Sequence, residues 1–167
     1  MEILRVALLK ADRVIEKIQT MICVVLFTAI LILGAIQIFG RYVGKIPTPW
    51  TEELMRFSMI WLTWIGSALT IRVDGHVSVD ILISYIHKHT VRAALFVFAR
   101  LVCVAFLLAF LPNSVNLIIR SGTSMAASMP IPYSYVYLSV PIGIIMMLLS
   151  YAKTIPAMGK QYLKGEK

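Results

Sequence analysis

The densest polar constellation in the chain is Pro47-Thr-Pro-Trp-Thr-Glu-Glu-Leu-Met-Arg56. Thr51 is placed to cap a helix whose first turn holds Glu52 and Glu53, where carboxylates sit well beside the positive helix end. Arg56 follows one turn later, within reach of either acid. Two carboxylates could in principle share acid–base work. Adjacent helical residues point in different directions, so a catalytic dyad is disfavoured. An ion pair closing the end of a helix is the simpler reading, and a contact surface for a partner is the sharper one.

Other candidates are single residues. Arg100 lies inside an apolar run, and an uncompensated charge at a bilayer centre costs at least ~2.5–3.5 kcal/mol. Arg92 is about two turns away, so Arg100 is expected to snorkel to the membrane surface. Pairing with Asp74, Asp80 or a partner subunit is the alternative. No Asp or Glu falls in the middle of an apolar run, which argues against a proton-coupled carrier acting alone. His76, His87 and His89 do not make a metal box, because His87 and His89 separate on a helix. Cys23 and Cys103 match neither a redox pair nor a zinc set and are expected as buried small hydrophobes. Trp61 and Trp64 are deeper than an aromatic belt requires, and Gly66-Ser-Ala68 beside them permits close helix approach. Asn113, Ser114 and Asn116 read as a helix cap or as the lining of a partner groove. No catalytic, cofactor-binding or metal residues are expected, and the chain is not expected to be an enzyme.

The elements that position these residues follow from composition. Of the residues 59% are hydrophobic and 14% charged, against roughly 25% charged in a soluble domain. A bilayer core needs about 20 helical residues to cross it, and such runs fall at about Thr20–Phe39, Leu54–Ile71, Ala93–Ile119 and Tyr133–Tyr151. The expected fold class is an all-α integral membrane protein, one membrane domain with four transmembrane helices. Residues 1–19 read as an amphipathic surface helix, 77–89 as an interfacial amphipathic helix between spans two and three, and 152–167 as a tail. Pro112 is expected to kink or end its helix locally.

Orientation follows from 16 Lys+Arg against 8 Asp+Glu. With both termini in the cytoplasm, 11 Lys and Arg fall inside and 3 outside (Arg41, Lys45, Arg120), with Arg56 and Arg100 within spans. The positive-inside rule favours this arrangement. The basic residues flank apolar runs without any stacking or groove-reading pattern, so nucleic acid is not an expected partner; membrane lipids are.

Gln37-Ile-Phe-Gly-Arg41-Tyr, Pro49-Trp-Thr-Glu-Glu53, Arg56, Trp61, Gly66, Arg72 and Gly75-His-Val-Ser-Val-Asp80 together resemble the small membrane subunit, of DctQ type, of tripartite ATP-independent periplasmic (TRAP) transporters. The resemblance covers nearly the whole chain and is most specific over residues 37–80. It implies a bacterial inner-membrane complex in which a periplasmic binding protein captures an organic anion, such as a C4-dicarboxylate or a sialic acid. It further implies a large membrane subunit that moves the anion by an elevator motion coupled to a sodium gradient, and a small subunit that acts as scaffold. The partner-interface candidates are then Arg41, Lys45, Trp50, Glu52, Glu53, Arg56, Trp61, Trp64 and Arg100. Two rivals fit less well. A small autonomous four-helix exporter would want a glutamate in span one, and a membrane thiol oxidoreductase would want paired cysteines.

Overall fold

In this computed structural model, residues 2–72 and 89–164 are described, with side chains over 12–72, 91 and 94–155. The expected interfacial helix at 77–89, with Asp74, His76, Asp80 and His87, lies almost wholly outside the described residues. Helix α1 spans Glu2–Phe39 and runs into a π-helical turn at Gly40–Gly44. Helix α2 is Pro49–Arg72, α3 is His89–Arg120, α4 is the short Tyr133–Tyr137 and α5 is Ser139–Lys164.

Helices dominate because an apolar solvent leaves backbone N–H and C=O groups no partner but each other. Four helices are long and apolar enough to cross a membrane: Asp12–Gly44, Pro49–Arg72, Ala94–Arg120 and Tyr133–Ile155. Hydroxyls inside them are satisfied locally, as when Thr63, Ser67 and Thr70 each donate to the carbonyl four residues back.

Two boundaries and one cap assignment differ from the sequence reading. The N-terminal polar segment and the first span form one uninterrupted helix, since nothing between them breaks helical hydrogen bonding. Pro112 lies within α3, which continues to Arg120; Asn113, Ser114 and Asn116 are therefore helical residues and not a cap. Ser114 is buried, its hydroxyl donating to the Leu111 carbonyl at 2.6 Å. The last span is divided at Leu138. Pro141 then falls in the first turn of α5, where its missing N–H costs nothing.

The helices stand in a row. α1 packs on α2, α2 on α5, and α5 on α3, while α4 touches α2, α3 and α5. Among the described residues α1 packs its backbone against no other helix, and none of its most apolar window is buried. The main core lies across the α2–α5–α3 part of the row, around Ala68, Ile71, Leu107, Val140, Ile144 and Met147.

Close approach of α2 and α5 depends on a glycine other than the one expected. A methyl group added at Gly143 would lie 2.6 Å from the Trp64 Cβ and 3.2 Å from its backbone carbonyl carbon. Gly66 has nothing within 4 Å. Ala68 is fully buried, and its carbonyl accepts from the Ser150 hydroxyl of α5 at 3.0 Å. Small residues at 68 and 143 thus bring the two backbones together, as small residues do between membrane helices.

Candidate partner-facing site

Ion pairs and turns gather at the two ends of this row. The terminal end holds the start of α1 and the end of α2, together with the Lys153 region of α5. There the Asp12 carboxylate takes one guanidinium N–H of Arg72 at 2.6 Å and also pairs with Lys153. One acid thereby joins three helices. The Arg72 side chain is 7% exposed and that of Asp12 20% exposed. Nothing local in the sequence distinguishes Asp12, because its partners lie far along the chain.

At the opposite, loop end, Glu52 and Glu53 part company. Glu52 pairs with Arg56 at 3.4 Å, and both side chains are 61% exposed. Glu53 turns inward and is 8% exposed. Its two carboxylate oxygens accept the backbone N–H groups of Ala127 and Ser128, each at 2.9 Å. This corrects the expectation that either acid serves Arg56. Arg56 is also too exposed for the large penalty of a buried, broken pair.

The segment that Glu53 holds is itself ordered. Ala126 donates to the Ile131 carbonyl and Tyr133 to the Ser124 carbonyl, both at 2.9 Å. Underneath, Phe57, Ala126 and Val136 form a second apolar cluster, and Phe57 meets Tyr133 edge-on with centroids 5.7 Å apart. The carboxylate, the paired loop and the aromatic contact together clasp the α3–α4 connection onto α2.

Thr51 is not the cap of α2. The helix begins at Pro49, whose fixed φ suits a first helical position. Thr51 is fully buried in the first turn, with its hydroxyl donating to the Thr48 carbonyl at 2.6 Å.

The remaining candidates separate by exposure. Arg41, Lys45, Trp50, Glu52 and Arg56 are exposed at the loop end. Trp61 and Trp64 are half-buried, Trp64 against α5. Arg100 is 5% exposed. Its guanidinium lies 4.1 Å from the centroid of the Phe96 ring, one turn back toward the start of α3, as helical side chains lean. It is folded into the protein, held in part by the ring face. Cys103 is exposed in the middle of α3 and Cys23 half-buried, so Cys103 departs from the expected burial. The described residues contain no cluster of three His, Cys, Asp or Glu.

A crevice of about 480 Å³ opens between the end of α1 and the start of α2. Gln37, Arg41, Lys45 and Glu52 supply its polar lining. Lys45 adopts a left-handed conformation, φ 51°, and the N–H groups of Lys45 and Ile46 both reach the Gly40 carbonyl. This closes the π turn and sets Arg41 and Lys45 on one short segment.

Across residues 30–156 the sequence matches the model of the DctQ component of tripartite ATP-independent periplasmic transporters. The chain belongs to the DctQ family. That span includes the crevice, the clasp, Gly143 and Lys153, whereas Asp12 and Cys23 precede it. Among curated proteins none matches the chain. As a DctQ component it is the small membrane subunit of a TRAP transporter, a transport protein of the inner membrane whose partners are the other parts of that assembly.

Proposed function

We propose that this DctQ chain is the static scaffold of its transporter. It would hold a large elevator-type subunit in the bilayer and help receive the periplasmic binding protein during sodium-coupled uptake of an organic anion, a carboxylate such as a C4-dicarboxylate or a sialic acid. The observation that carries this reading is that α2 is fixed at three levels. Asp12 ties its end to α1 and α5, Gly143 seats α5 against Trp64 midway, and Glu53 clasps the α3–α4 connection to its start. A counterpart for a moving subunit has to be braced in this way. The row arrangement also leaves α1 open along its length for lipid or a partner helix. Exposed Trp50, Glu52 and Arg56 at the loop end are the surface proposed for the binding protein.

Reconstitution tests this. Sodium-dependent uptake should require this chain, the large subunit and the liganded binding protein together. Uptake by this chain alone, above that of empty vesicles, would overturn the scaffold role.

The geometry puts the start of α1 and the later part of α5 at one end of the row. With the charge asymmetry, this supports both termini in the cytoplasm. In a background lacking Cys23 and Cys103, cysteines at Lys45 and Ser124 should react with an impermeant reagent from outside, and ones at Lys10 and Lys164 should not. The reverse pattern would refute this orientation.

A further inference from the structure

We infer that the crevice between the end of α1 and the start of α2 is a binding site for one phospholipid, with the headgroup phosphate held by Arg41 and Lys45. This rests on the membrane placement of the chain and not on the scaffold role. The crevice encloses about 480 Å³ and is lined by Arg41, Lys45 and Gln37 on one side and by Glu52 and the start of α2 on the other. Glu52 already pairs with Arg56, so the two cations lining the cavity are not neutralised by it. Both sit at the end of a membrane span, the depth at which basic side chains meet lipid phosphates.

A soluble acidic protein would answer the charge but not the surroundings. Phe39, Tyr42, Val43 and Ile46 flank the cations, and Tyr42 and Val43 are about three-quarters exposed (76% and 75%). Further back along α1, Ile32, Ile36 and Ile38 are exposed on its sides. A cationic slot at the end of a span with exposed apolar sides fits a molecule with a charged head and acyl chains. The π turn gives the slot its shape. Gly40 passes so close to Thr48 that a methyl group there would stand 3.3 Å from its Cγ2, and the left-handed Lys45 is held by the Gly40 carbonyl. Non-glycine residues rarely adopt that conformation. π turns of this kind recur at binding sites.

The test uses the full chain purified in mild detergent, with phospholipid retention measured by native mass spectrometry. Binding is then titrated with vesicles of phosphatidylglycerol, phosphatidylethanolamine or phosphatidylcholine. Wild type should retain one phospholipid through delipidation. Arg41→Gln with Lys45→Asn should lose it and bind about 30-fold more weakly, since each basic residue near an anionic surface is worth about a factor of five. Asparagine at 45 tolerates the left-handed backbone, and an unchanged melting temperature would show that the variant folds. Arg13→Gln, a cation at the other end of α1, should bind as wild type. Inorganic phosphate should not displace the lipid, because it lacks the chains. Equal retention by the double variant, displacement by free phosphate, or protection of Arg41 and Lys45 by the binding protein but not by lipid would each overturn the proposal.

Discussion

Asp12→Asn is expected to destabilise the isolated chain by about 3 kcal/mol, at the lower end of the ~3–5 kcal/mol seen when one partner of a buried pair is removed. Arg72 would keep its charge with its side chain only 7% exposed. Lys153, half-exposed, would face it without the acid that now lies between them. The exposure of Lys153 keeps the loss from being larger, because water can take over that half of the interaction. Neutralising both buried members should recover most of the loss, since an apolar replacement of a buried pair is often neutral. The measurement is unfolding of the purified chain in detergent for Asp12→Asn, Arg72→Met and the double variant, analysed as a cycle. A wild-type transition in Asp12→Asn, or strictly additive losses, would show that the three-helix tie contributes nothing.

The second large effect is at Glu53. Glu53→Ala should cost about 2 kcal/mol, because two backbone donors lose their acceptor at about 1–3 kcal/mol each and sit near enough to water to recover part of it. Glu53→Gln should fall between that variant and wild type, because its amide offers one acceptor and one opposed donor. Glu52→Gln next door should change stability by less than ~1 kcal/mol, because it breaks only an exposed pair. The measurements are melting of the chain and proteolysis within the α3–α4 connection, which should quicken in Glu53→Ala alone. Equal behaviour of the two glutamate variants would refute the clasp.

These two residues mark where sequence reasoning stops. Spans are legible because hydropathy is a local property, and Glu52–Arg56 is legible because a helix places residues four apart on one face. Glu53 carries no such signal. Its partners are main-chain amides 74 and 75 residues further on, and a backbone N–H looks the same in every sequence. Asp12 finds its partners 60 and 141 residues away. Locally it is one charge in a polar segment. Gly66 and Gly143 are equally small, and only the rotation of each helix decides which one meets a neighbour. Arg100 can be placed inside a span but not assigned its ring partner, because Phe96 is as apolar on paper as any lipid-facing residue.

The row of helices also sets an order of events during synthesis. α1 and α2 are neighbours both in sequence and in space, so they can pair as soon as the second has entered the bilayer. α3 is made next, and its packing neighbour is α5, which does not yet exist. At ~5–20 residues per second, the stretch from the end of α3 to the end of α5 takes roughly a few seconds to appear. During that interval Leu107 and Ser114, buried in the finished protein, have lipid in place of their eventual surroundings. α5, made after α3, is the helix that joins it to the pair already formed.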